Sequence, residues 1–380
     1  MKILQTTLKN CQPEQQQLEP LIALSPSLVL VFAAPAFFAP GGGAAQLADT
    51  FQQAKVIGCS TAGEIDTCGV QDNCAVITAV RFEKSRLVAG STDLVDMADS
   101  RDAGKRLANE LVGPDLRAVL VFGQGLNING SALVDGMTEV LGTDLPITGG
   151  LAGDNGAFAR TWTLGKNGVS DRALVAIGLS GEDLHVGHGS FGGWEPFGPA
   201  RRVTRCENNV LFELDGAPAL DVYKRYLGDY AKDLPASGLL FPFAMMGDDQ
   251  NTAGLIRTIL GVDDEQGSLT LAGEIVQGGY LKLMHASTDA LVDGAEVAAK
   301  AIATVAKLSG PSLAILVSCV GRKLVMGDRV DEEVEAVADV FGKDVVPTGF
   351  YSYGEISPFA PGASCKLHNQ TMTITTFAES

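Results

Sequence analysis

Positive charge is scarce in this sequence. Only 28 Lys and Arg stand against 45 Asp and Glu, for a formal net charge of −17. Clustered cations are what phosphate binding needs, so nucleic acid and anionic membranes are excluded as partners. Long apolar runs are also missing. The longest, Leu28 to Ala39, is interrupted by Pro35 and is too short to cross a bilayer. Lys9, Asn10 and Gln12 follow a weakly apolar start, so no signal-peptide core is visible and a cytoplasmic location is expected. Histidine is limited to His185, His188, His285 and His368, with no metal-spaced pair among them. Cys365 and His368 make one C-x-x-H pair, and no second pair completes a zinc site. The seven cysteines, an odd number, fit reduced thiols better than a disulfide framework.

What is present is repetition. Val56 to Ile65, Pro146 to Asn155 and Pro347 to Ile356 each carry glycines a few residues apart and then a carboxylate: Glu64, Asp154 and Glu355. Each is preceded by a buried-strand run, at Leu28 to Ala33, Ala118 to Gly123 and Leu313 to Ser318. Each is followed by another, at Cys74 to Val80, Ala173 to Leu179 and Met372 to Phe377. About thirty residues from strand to glycine loop leave room for a strand, a crossover helix and a second strand. Ser91 to Asp96 and Ser287 to Asp293 read as openings of equivalent helical segments. A degenerate further unit is expected near Leu239 to Met246, keeping Ala272-Gly273-Glu274-Ile275. The fold class is α/β: mixed β-sheets covered by helices, built from repeated β-α-β-β units in two related domains.

The turn signal Asp215-Gly216 marks the division, giving domains 1–216 and 217–380. Helices are expected at Gln46 to Ala54, Arg101 to Leu111, Ser131 to Leu141, Ala217 to Tyr230, Gly294 to Lys307 and Asp331 to Phe341. Strands are expected at Ala200 to Thr204, Asn209 to Leu214, Leu239 to Met245, Leu255 to Gly261, Ser268 to Leu271 and Tyr280 to Met284.

The glycine loops are the candidate site. Glycine after a strand permits positive φ and frees backbone N–H groups to cradle an anion or carboxylate. Ser60 and Thr61 add hydroxyls, and Glu64 and Glu355 can take an ammonium, so a zwitterion suits the device. Equally, the glycines could serve only as tight strand-to-strand turns. The loops are neither a P-loop nor a dinucleotide fingerprint. Candidate ligand-binding residues are Cys59, Ser60, Thr61, Gly63, Glu64, Gly150, Asp154, Asn155, Tyr351, Tyr353, Glu355 and Asn369, where the loops approach each other at the domain junction. Cys59, after a glycine in an exposed-looking turn, is also a conceivable reactive thiol. The competing class is an enzyme using Cys59 or the carboxylate pair Glu64 and Glu355; the repeated loops do not share the thiol, so no catalytic role is expected.

The glycine motif at Gly58 to Ile65, the run from Trp194 to Leu220, and Gly349 to Ile356 with Cys365 to Thr373 together resemble the FIST family, with paired FIST N and FIST C domains over nearly the whole chain. The resemblance implies a stand-alone bacterial intracellular sensor of small ligands such as amino acids. Some stand-alone members are haem-containing nitric oxide sensors that regulate a partner histidine kinase, and this chain is similar to them in length and domain content. For such a role the resemblance implies non-covalent haem b, with His368 the first choice of iron ligand and His188 the second. The residues themselves neither show nor exclude haem.

Overall fold

A computed structural model describes residues 1–247, 253–304, 310–358 and 363–380. Outside one insertion, its strands fall into three copies of one six-strand pattern. The first unit is β1 (Lys2–Leu8), β2 (Leu28–Ala33), β3 (Lys55–Ser60), the hairpin β4 (Glu64–Asp66) and β5 (Gly69–Gln71), and β6 (Ala75–Arg81), with α1 (Gln15–Ala23), α2 (Pro35–Phe38) and α3 (Ala44–Thr50) between. The second is β7 (Arg86–Asp93), β8 (Leu116–Gly123), β9 (Ile147–Leu151), β10 (Thr163–Gly165), β11 (Gly168–Ser170) and β12 (Ala173–Ser180), with α4 (Ser100–Asn109) and α5 (Gly130–Leu141).

The third unit opens with β13 (Leu184–Phe191) and is then interrupted. The insertion holds β14 (Glu195–Glu207), β15 (Val210–Leu214), β16 (Ala217–Pro218), α6 (Ala219–Leu227), β17 (Phe243–Met246), β18 (Ala253–Arg257), β19 (Ile259–Asp263), β20 (Ser268–Leu271) and β21 (Tyr280–His285). The unit resumes with α7 (Thr288–Ala303), β22 (Ser312–Cys319), α8 (Val320–Met326), α9 (Asp331–Phe341), β23 (Val345–Ser352), β24 (Gly354–Pro358), β25 (Cys365–His368) and β26 (Met372–Glu379).

Each unit builds a mixed sheet in the same order, β1-β6-β2-β3, β7-β12-β8-β9 and β13-β26-β22-β23, with its last two strands parallel. Each unit then sends its hairpin to a neighbour. β4-β5 extends the third sheet at β23, β10-β11 extends the first at β3, and β24-β25 extends the second at β9. The exchange is cyclic and leaves no unit able to complete its sheet alone. The buried runs β2, β6, β8, β12 and β22 are apolar on both faces because helices cover one side and the other units the other. In the centre, Phe32, Phe122 and Phe350, one from each unit, meet pairwise with ring centroids 5.3, 4.8 and 5.8 Å apart.

The mixed-sheet fold and its repeat agree with the pattern read from the sequence, and the unit is longer than β-α-β-β by an edge strand and a hairpin. Two local expectations differ. Ser91 to Asp93 ends β7 instead of opening a helix, because Ser91 and Thr92 pair with β12 in an antiparallel ladder. Ser287 does open α7, accepting the Ala290 N–H on its hydroxyl. The segment at Leu239 to Met246 is no fourth unit: residues 236–240 form a 3₁₀ turn, and β17 belongs to the antiparallel insertion. The last residues expected in the helix ending at Lys307 lie outside the described residues. Asp215-Gly216 is a turn, both residues at positive φ, and it joins β15 to β16 within the inserted sheet.

Candidate functional site

The three glycine loops converge and close a ring of backbone hydrogen bonds. Ala62 N donates to Tyr351 O and Tyr351 N to Gly63 O, both at 2.8 Å. Gly153 N donates to Ser60 O at 2.8 Å and Asn155 N to Thr61 O at 3.1 Å. Tyr353 N donates to Leu151 O at 3.1 Å. The Ser60 hydroxyl adds to the seam, donating to Gly153 O at 2.7 Å and accepting Trp162 N–H at 2.9 Å. These N–H groups are therefore spent on neighbouring loops and do not form an anion cradle.

The glycines answer to the same packing. A Cβ on Gly58 would lie 1.9 Å from Val31 O, on Gly149 1.9 Å from Val121 O, and on Gly349 1.8 Å from Leu316 O. Each is the residue opposite its parallel partner, so the motif records a close strand approach used three times. Gly63 is further held at φ +138°, whereas Gly354 is not in the positive-φ region. Gly150 is packed between Gly354 O and Val317, 2.8 Å from where its Cβ would be.

The carboxylates after the glycines turn inward. Glu64 and Glu355 are fully buried. Glu64 accepts from the Thr61 hydroxyl and, at 3.3 Å, from Cys74 N–H. Glu355 accepts from the Ser352 hydroxyl at 2.7 Å and from Thr371 N–H and Oγ1 at 3.1 and 2.9 Å. Burial pushes both up to about 7, against the hydrogen bonds that favour the charged form. Asp154 differs: its carboxylate takes the N–H groups of Phe158, Ala159 and Arg160 at 2.7–2.9 Å and so shapes the loop that follows.

Cys59 is not in an exposed turn. It lies in β3 with no exposure, and burial pushes its thiol well up, which removes the thiolate that a nucleophile needs. Tyr351 is buried, its hydroxyl on Glu333. Glu333 in turn is paired with Arg322 at 2.7 Å, both fully buried, a network the sequence pattern does not signal. Asn369 is buried, and its Oδ1 has no partner among the described residues.

His368 fits a haem ligand poorly. Its ring is 1% exposed, its Nε2 lies 2.9 Å from Ser357 O, and burial pushes it down to about 4. The cavity beside it is about 150 Å³, below the ~300 Å³ at which small-molecule pockets begin. His188 stands on β13 opposite Thr375, half-buried, on the face turned away from α7. Among the described residues no cluster of His, Cys, Asp and Glu is arranged to hold a metal.

Open space lies where two of the loops face the inserted sheet. Tyr353 and Phe158 stack with centroids 4.4 Å apart and planes at 13°. The Tyr353 hydroxyl donates to Asp154 and accepts N–H from Asp154 and Gly156 at 3.2 and 3.1 Å. Phe158 is 43% exposed and lines two cavities that also share Leu260. One, about 310 Å³, is closed by Asn129, Asn209, Glu274 and Tyr353. The other, about 450 Å³, is apolar apart from its rim, with Leu234, Leu239 and Leu324 opposite Asn155. Asn129 Nδ2 donates to Glu274 across the cleft at 3.1 Å, linking body and insertion. Of the residues expected at the site, Tyr353 and Asn155 line this cleft and Asp154 braces it. Phe158 and Asn129 carried no sequence signal, while Glu274 lies in Ala272-Gly273-Glu274-Ile275, the stretch read as part of a degenerate unit.

Comparison with known proteins assigns most of the chain to two family models. The FIST N domain model matches residues 27–217 and the FIST C domain model residues 219–358. An uncharacterized protein of Methanocaldococcus jannaschii, MJ1623, is 27% identical over 266 residues, covering 60% of this chain. The chain spans about half, 48%, of that relative's length. A crystal structure of cyanuric acid hydrolase from A. caulinodans aligns over 99% of both chains at 9% identity and a TM-score of 0.39, a likeness that carries no argument. The chain belongs to the FIST family, whose domains are associated with sensing in signal transduction and bind small ligands. No helix among the described residues is long and apolar enough to cross a membrane.

Proposed function

We propose that this FIST protein is a cytoplasmic ligand-binding sensor whose small-molecule site is the cleft between the loop ring and the inserted sheet. The observation that carries this reading is the Phe158–Tyr353 stack, a half-exposed aromatic platform shared by two adjoining cavities. Pockets of this kind are mostly apolar with a few convergent polar groups. Here the polar groups are Asn129, Asn209 and Glu274. They suit a ligand with a flat apolar part and a hydrogen-bonding or cationic end, as an aromatic amino acid has. The Asn129–Glu274 contact gives a route for output: a ligand that breaks or shields it changes how the insertion sits on the body. A partner such as a histidine kinase would read that change. Nitric oxide sensing through haem at His368 draws no support from the geometry around that ring.

The test is equilibrium binding of phenylalanine, tyrosine, tryptophan and histidine by calorimetry, to wild type and to Phe158→Ala and Glu274→Gln. Saturable binding of at least one, weakened tenfold or more by both substitutions, is expected. Binding that survives both, or none of the four binding, would remove the cleft as a site of this chemistry.

A further inference from the structure

A second cavity lies on the other side of the loop that carries Phe158. It has a volume of about 370 Å³ and is lined by Asp96, Gln124, Arg160, Thr161, Asp171 and Arg172, among others. Gln124 is the first residue after β8, at the carboxyl end of a parallel strand pair, the position where open α/β sheets collect ligands. The first and third units place a helix here: α2 starts at Pro35, two residues after β2, and α8 at Val320, directly after β22. The second unit does not, and its chain runs as loop from 124 until α5 begins at Gly130.

The side chains of this cavity divide into satisfied and unsatisfied groups. Arg160 is spoken for: it forks onto Asp171 at 2.6 and 2.9 Å and lies over the Trp162 ring at 4.2 Å. Thr161 Oγ1 accepts Gly125 N–H at 2.9 Å. Gln124 is 8% exposed, yet its amide makes no hydrogen bond to any described residue. Its amide is not among the fully buried unpaired groups, so the small exposed part of the residue is the amide, opening onto the cavity. The Arg172 guanidinium likewise has no described partner, and Asp96 uses only Oδ1, on Asp99 N–H at 3.0 Å.

We infer that this cavity is a binding site for a small monocarboxylate bearing an adjacent hydrogen-bond donor. A guanidinium and an amide N–H together present donors matched to a carboxylate. With Asp171 already paired to Arg160, the cavity sets one unpaired guanidinium beside the Asp96 carboxylate, so a singly charged anion matches it better than a phosphate dianion. The free Asp96 oxygen accepts a donor on the ligand's neighbouring carbon. The lining carries two arginines and two aspartates, and Arg172 is the cation left without an ion-pair partner among the described residues.

Ligand-observed NMR on the full chain would use lactate, propionate and inorganic phosphate as separate probes. Lactate is expected to bind at millimolar concentration, propionate several-fold more weakly for want of the hydroxyl, and phosphate not to compete. Arg172→Gln, at an exposed position that leaves folding intact, and Gln124→Leu should each weaken lactate at least fivefold. Absence of a lactate signal in wild type, a signal unchanged in Arg172→Gln, or displacement of lactate by equimolar phosphate would each overturn the assignment.

Discussion

The hydroxyl of Tyr353 rests on the carboxylate of Asp154, 199 positions away in the chain, and takes the N–H of the same aspartate at 3.2 Å. This contact joins the second and third glycine loops and holds the wall of the cleft. Tyr353→Phe keeps the ring and its stacking on Phe158 but deletes the hydroxyl's contacts with Asp154 and Gly156. A part-buried hydrogen-bonded hydroxyl of this kind is worth about 1–3 kcal/mol. Urea denaturation should show that loss, together with weaker binding of any cleft ligand, because residues 154–160 lose their tether.

Gly58, Gly149 and Gly349 should tolerate no side chain. Alanine at any of them would put a methyl carbon within 2 Å of a carbonyl oxygen on the paired strand. The strands must part to admit it, at about 3 kcal/mol or more. Gly113 is the control, since a Cβ there meets nothing nearer than 3.9 Å and alanine should change stability by about 0.5 kcal/mol or less. Denaturation midpoints of the four variants check this; a wild-type midpoint in Gly149→Ala would contradict the strand-approach account.

Much of this architecture is legible in the sequence for a physical reason. Buried strands such as Leu28–Ala33 must be apolar on both faces, and glycine must stand where Val31 O, Val121 O and Leu316 O crowd the neighbouring strand, so the repeat survives as pattern. What the glycines were for was not legible. A loop whose N–H groups are free and one whose N–H groups bond another loop have the same composition, and only the pairing of Ala62 with Tyr351 decides it. The hairpin exchange is equally silent, because β4 carries no mark that it joins β23. Phe158 is a single aromatic in a polar stretch, and its importance comes from Tyr353 lying under it.

Glu64 and Glu355 give the fold a defined pH response. Both are raised by burial from an ordinary value near 4.5 to about 7. A carboxyl raised in the folded state holds its proton more tightly there than in the unfolded chain. Its contribution is therefore fully present below about pH 4.5 and is lost as pH rises to about 7. Across that window each group should lower unfolding free energy by about 1.4 kcal/mol per pH unit. Glu64→Gln and Glu355→Gln, which keep the shape and remove the charge, should flatten this slope in turn. Chemical denaturation at several pH values between 4.5 and 8 reads it directly, and an unchanged slope in the double variant would show that neither carboxyl titrates in this range.

Haem uptake is the last outcome to be measured. An axial histidine must offer a ring nitrogen to a slot large enough for the porphyrin. His368 offers Nε2 to Ser357 O at 2.9 Å, inside the β24–β25 hairpin, beside a cavity of about 150 Å³. Its burial keeps the ring neutral at pH 7, the form that binds iron, so what weighs against ligation is access and space and not protonation. Titrating hemin into wild type should give no sharp Soret band saturating at one equivalent. His368→Ala should cost about 1–3 kcal/mol of stability through the lost buried hydrogen bond and leave the hemin spectrum as it was. A stoichiometric Soret band in wild type that disappears in His368→Ala would instead require the β24–β25 hairpin to detach from β9, and protection of the Gly354–Ile356 amides from hydrogen exchange would then fall on hemin binding.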